Sequence, residues 1–201
     1  MKLHKTWLIS LAVVFRGITF GQGTFTYDQQ SALESTGGGI ASAIQPYQPM
    51  GQSFVPTLSS VGFIRLSLGD SAINGLGATV YVNLLANSIT GTVLASTEPV
   101  FMPDGFSRYP DFFFSTPVPV TPGNTYYFQP VVQSGDLWGI TAYNAYNYPN
   151  GTAFSLGATA PFFDVWFREG IYNVPEPSLA ALGFLGVACL AWARRKHLPA
   201  H

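Results

Sequence analysis

Between residues 22 and 174 this chain has no histidine, no cysteine and no lysine. Its histidines, His4, His197 and His201, sit at the two ends, and its lone cysteine, Cys189, lies in a C-terminal apolar run. These absences exclude a Ser-His-Asp triad, a Cys-His nucleophile pair, a His/Cys zinc site and an internal disulfide from the middle of the chain. Charge is scarce too. Three arginines (Arg65, Arg108, Arg168) stand against nine acids over that stretch, a formal −6. Neutralising phosphates needs a basic footprint, so no nucleic-acid partner is expected.

What is abundant is apolar and aromatic surface, broken by glycine and proline. Short apolar runs that end in turn formers suit a β domain, because β-branched and aromatic side chains pack well on a pleated surface. Residues 22–50, rich in Gln, Ser, Gly and Pro, read as a loose lead-in with one edge strand at most. Strand signals recur over 51–173. Ile64, Leu66 and Leu68 alternate with Arg65 and Ser67, so the apolar set is expected to face inward. Val80, Val82 and Leu84 repeat the pattern before a turn at 87–91, and runs at 92–95, 112–114, 125–132, 137–143 and 162–168 follow. Strands at this spacing with Gly/Pro turns predict an all-β fold, a single β-sandwich of jelly-roll type. The segments Thr121–Phe128 and Asp164–Glu169 resemble late strands of jelly-roll domains in secreted bacterial proteins.

The two ends carry an address. Lys2 and Lys5 precede an apolar run from Trp7 to Phe15, and small residues follow, the layout of a signal peptide over 1–21. Arg16 departs from that layout; the competing readings are an uncleaved anchor and a buried strand. At the other end, Val174-Pro175-Glu176-Pro177-Ser178 leads into fifteen uncharged residues, 179–193, and then Arg194-Arg195-Lys196. As a helix that run rises ~22 Å, short for a bilayer without help from its flanks. Basic residues stay on the cytoplasmic side, which would leave the β domain outside. The prolines hold the approach extended and open to a protease.

Pro-Glu-Pro, a short Gly/Ala/Leu-rich helix and a basic cluster, in that order, resemble the PEP-CTERM sorting signal over residues 174–197 of a tail that runs 174–201. The resemblance implies that Pro175, Glu176, Pro177 and Ser178 form the processing region of an exosortase. It further implies that Arg194, Arg195 and Lys196 retain the tail before cleavage. Proteins of this family typically come from Gram-negative bacteria that secrete exopolysaccharide. The plain competitor is an ordinary single-pass anchor.

Within the β domain, period-two alternation places Phe163, Val165 and Phe167 on a core face and Asp164, Trp166 and Arg168 on the other. A ring between a carboxylate and a guanidinium is a plausible sugar platform. The alternative is a surface Asp164–Arg168 pair beside a Trp covered by a loop. Tyr143, Tyr146 and Tyr148 alternate with asparagines in a loop-like run, which suits polyhydroxylated ligands or a self-packed loop. Trp138 shares a face with Ile140 and Ala142 and is expected in the core. Nine acids suggest no particular glycosidase pair, and no EF-hand or phosphate-cradling loop is present. No cofactor and no metal are expected.

The expectation is therefore a non-enzymatic exported protein, membrane-anchored before exosortase processing and then on the cell surface or in the extracellular matrix, in contact with exopolysaccharide. Its partners are signal peptidase, exosortase and the membrane. The rivals are a carbohydrate-active enzyme using an Asp/Glu pair and a purely structural envelope protein.

Overall fold

The computed structural model describes residues 23–174. The signal peptide expected at 1–21, the Pro-Glu-Pro segment, the helix expected at 179–193 and the basic cluster lie outside those residues. Among the described residues no helix is long and apolar enough to cross a membrane.

The chain from Thr24 to Asn173 is all-β and sandwich-like. One sheet has four strands in the order β1 (Thr24–Gln30), β16 (Phe167–Asn173), β4 (Ser60–Leu66) and β10 (Asp111–Pro119). A seven-stranded sheet runs β14 (Ala158–Ala160), β13 (Ala153–Ser155), β3 (Gly51–Phe54), β11 (Tyr126–Gly135), β6 (Ala78–Ala86) and β7 (Thr92–Ser96), with β8 (Val100–Met102) also on β6. The third sheet runs β15 (Asp164–Val165), β12 (Trp138–Tyr143), β5 (Leu68–Asp70) and β9 (Ser107–Arg108), with β2 (Ile40–Ala43) also on β12. Every pairing is antiparallel.

The alternation in the sequence becomes the core. Ala78, Val80, Val82 and Leu84 of β6 are buried, as are Ile64, Leu66 and Leu68, while Arg65 and Ser67 keep partial exposure. Phe167 of the four-stranded sheet meets Phe128 of the seven-stranded sheet at 5.2 Å between ring centroids, and Phe54 lies 6.2 Å from both. Each such ring withdraws enough apolar surface to contribute roughly 1.5–3 kcal/mol. Trp138 and Ile140 are fully buried in the same cluster, in keeping with their strand face.

The outer face of the four-stranded sheet is not a simple solvated face. Register places Tyr27 and Phe63 on either side of Gly170, and their rings come together at 5.6 Å. A β-carbon on Gly170 would lie 2.0 Å from the Thr26 carbonyl oxygen, so this rung admits only glycine, and the flanking rings fill the space. Phe25, Phe113 and Tyr172 extend the patch, and Phe63 beneath them is fully buried. Two arginines cap it: the Arg65 guanidinium stands 5.0 Å over Phe25, and that of Arg168 stands 3.5 Å over Tyr27.

Two expectations change. The segment expected as a loose lead-in with one edge strand supplies two strands, β1 at the edge of the four-stranded sheet and β2 on β12. The last strand is also split. Its 164–165 part belongs to one sheet and its 167–173 part to another, with Trp166 at the crossing.

Candidate functional site

The crossing explains why Trp166 is no platform. Val165 and Phe167 enter the main core, as alternation requires, but the opposite face is covered as well. Trp166 has no exposed surface and packs with Ala32, Tyr109, Tyr143 and Tyr146. Its indole N–H donates to the Leu33 carbonyl at 3.2 Å, and the Tyr109 ring lies 4.4 Å away. The expected face of Asp164, Trp166 and Arg168 therefore does not exist as an exposed surface. Arg168 belongs to the outer aromatic patch, where its Nε–H donates to Gln30 Oε1 at 2.9 Å. Phe163, expected in the core, is 40% exposed, because the strand begins only after it.

Asp164 is buried and organises the neighbouring loop. Its Oδ1 accepts the Gln52 side-chain amide at 2.7 Å, and its Oδ2 accepts the Tyr148 backbone N–H at 3.0 Å. Gln52 Oε1 in turn accepts the Val165 N–H at 3.0 Å. The tyrosines of the loop point inward as anchors. The Tyr146 hydroxyl donates to the Gly38 carbonyl at 2.8 Å. That of Tyr148 donates to Gln29 Oε1 and accepts the Val55 N–H, both at 3.0 Å. Burial pushes the Tyr148 hydroxyl up to about 12. Tyr146 and Tyr148 are closed to a ligand as stacking faces, and Tyr143 is half-buried with its ring edge-on to Tyr146.

With the tyrosines turned in, the asparagines turn out. Asn144 and Asn147 are exposed and line a cleft of about 430 Å³ with Thr152, Phe162 and Phe163. A second groove of about 570 Å³ shares Phe163 with it and is lined mostly by apolar residues, among them Met50, Ala142, Ala153, Ala160 and Val165. Phe163 lines both, and Phe162 beside it is 81% exposed. The asparagines fall within the Tyr/Asn run that stands out in the sequence, whereas the two phenylalanines read there as strand. The Pro161 that precedes them is the available sign that the strand starts later.

A different pair of carboxyl groups lies on the paired strands β1 and β16, Asp28 half-buried and Glu169 buried. Glu169 is fully buried, and among the described residues neither of its oxygens has a hydrogen bond of good geometry, although the Gln29 backbone and the Asp28 carboxyl lie close by. Burial, and then the nearby Asp28 carboxylate, push its carboxyl up to about 9. Asp28 is also raised by burial, but hydrogen bonds outweigh that and hold it below its ordinary value. They come from Thr57 N at 2.7 Å, Leu58 N at 2.9 Å, the Thr57 hydroxyl and the Gln29 amide. Carboxyl pairs pushed apart in this way are similar to acid–base catalysts in their titration alone. Here Glu169 has no exposed surface through which a substrate could reach it. Among the described residues no group of three or more His, Cys, Asp or Glu is arranged to hold a metal.

No protein-family model matches this chain, and neither does any curated protein. The reading of the site thus rests on its own chemistry. Pro175 to Ser178 and Arg194 to Lys196, the residues expected to serve sorting and processing, lie outside the described residues.

Proposed function

We propose that this chain is an exported, non-enzymatic cell-surface or matrix protein of the PEP-CTERM type, a jelly-roll sandwich that contacts exopolysaccharide through the cleft at Asn144, Asn147 and Phe163. The address rests on the tail, with its ordered Pro-Glu-Pro, apolar run and basic cluster. The observation that carries the contact is the cleft's lining of amides and a hydroxyl beside an exposed aromatic ring. Aromatic faces stack on the apolar faces of sugar rings, and amides pair with hydroxyls in both directions.

The same lining favours binding over turnover. Glycoside hydrolysis needs two carboxyl groups facing a shared cleft. This cleft has one, Asp164, whose two oxygens are already engaged by Gln52 and Tyr148.

Intact mass and cell fractionation in the native host, beside a strain lacking exosortase, test the address. Loss of both termini in the parent and a full-length, membrane-held chain in the mutant are expected. An uncleaved tail in both strains would reduce the protein to a plain anchored one.

A further inference from the structure

The two clefts differ in chemistry and share a wall. The larger groove is lined mostly by apolar residues; Ala142, Ala153 and Ala160 make room because each stops at a single methyl, and Ser42, Ser155 and Tyr47 are its polar members. The smaller presents the amides of Asn144 and Asn147 and the Thr152 hydroxyl. Phe163 stands between them with 40% of its surface free. No cationic side chain lines either cleft, and the lone acid, Asp164, is buried and fully hydrogen-bonded.

This electrostatic silence is selective. An anionic glycan would have to shed water from its carboxylates or sulfates against a wall that offers no positive charge, inside a domain of formal −6. An uncharged sugar suffers no such cost. Nor does the mostly apolar groove favour a chain bearing hydroxyls alone, since a hydroxyl set against Ala142, Ala153 or Val165 goes unpaired. A methyl gains there what a hydroxyl loses.

We infer that the two clefts joined at Phe163 are one binding site for an uncharged glycan carrying small apolar substituents, either acetyl esters or deoxy methyl groups. The inference rests on the polysaccharide reading above and deepens it. A sugar ring stacks on Phe163, its hydroxyls meet Asn144, Asn147 and Thr152, and the substituent drops into the apolar groove. Volumes of about 430 and 570 Å³ leave room for a short stretch of chain across both.

The test immobilises the purified full-length protein and measures retention of four glycans: acetylated xylan, the same xylan after alkaline deacetylation, a rhamnan, and alginate. Acetylated xylan or the rhamnan, or both, should be held about tenfold more tightly than the deacetylated xylan, with alginate weakest. Which of the first two wins distinguishes an acetyl from a deoxy methyl. Phe163→Ala should abolish the preference by removing the shared wall. Ala142→Leu, half-buried and on the same sheet face as Val165 in the groove, should lose the substituent preference while keeping residual sugar binding. Equal retention of acetylated and deacetylated xylan, tightest binding of alginate, or unchanged binding by Phe163→Ala overturns this inference and leaves the polysaccharide reading standing. No retention of any of the four by folded protein overturns both.

Discussion

Gln52 on β3 and Asp164 on β15 are joined by a 2.7 Å hydrogen bond between two buried side chains, and that bond ties the seven-stranded sheet to the five-stranded one. Through Asp164 the tie reaches the backbone of Tyr148, and so the loop that bears Asn144 and Asn147. Asp164→Ala would leave the Gln52 amide and the Tyr148 N–H without their acceptor. It should lower the unfolding free energy by about 1–3 kcal/mol for each stranded donor. Urea unfolding measures this; a cost below about 0.5 kcal/mol would mean the joint contributes little.

Trp166 lies where two sheets meet under a loop, with no surface exposed. Trp166→Ala should cost about 3–5 kcal/mol by opening a cavity among Ala32, Tyr109 and Tyr146. Trp166→Phe should cost less, keeping most of the packing and losing the donor to Leu33. If Trp166→Ala melted like the parent protein and only ligand retention fell, the ring would be a binding face after all.

Glu169 makes stability depend on pH in a fixed direction. The unfolded carboxyl ionises near 4.5 and the folded one near 9, so the folded state holds the extra proton in between. Its contribution is fully present below about 4.5 and is lost as pH rises towards 9, with a slope of up to about 1.4 kcal/mol per pH unit. Asp28 acts oppositely: held below 3.8, it contributes above that value, and the contribution is lost as pH falls through its lower folded value. Thermal melts should therefore be highest in mild acid and fall steadily to pH 9. Glu169→Gln, neutral at every pH, should flatten the alkaline limb. A melting temperature of the parent protein that stays level from pH 5 to pH 9 would contradict the buried neutral acid.

Arg65 grips Asp111 with two bonds, Nε to Oδ1 at 2.6 Å and Nη2 to Oδ2 at 2.9 Å, while its plane covers Phe25 and Tyr27. A Glu34 carboxylate holds the third edge. The pairing with Asp111 comes first among the causes that hold the guanidinium above its ordinary value. Arg65→Lys keeps the charge but offers no planar fork, and should cost about 1–2 kcal/mol in chemical denaturation. An indistinguishable lysine variant would mean that charge alone matters at this position.

Period-two patterns determined much of this domain by themselves. Val80, Val82 and Leu84, or Ile64 and Leu66, can alternate in only one way along a strand, and burying them leaves one orientation. The turn at 87–91 and the core place of Trp138 were legible for the same local reason. So was the scarcity of charge that leaves both clefts without a cation.

What tertiary structure alone decided is which outward faces stay outward. Alternation told Trp166 apart from Val165 and Phe167, yet only the folding of residues 31–34 and 143–148 over it turned an apparent platform into a second core. Both lie outside any local window on the strand they cover, residues 31–34 at the far end of the domain. Arg168 and Tyr27 likewise meet only because β1 returns to pair with β16, which no local window contains. Burial of Glu169 and exposure of Phe163 were fixed in the same way. A side chain's own sequence sets the face on which it points, and distant chain decides whether that face meets water.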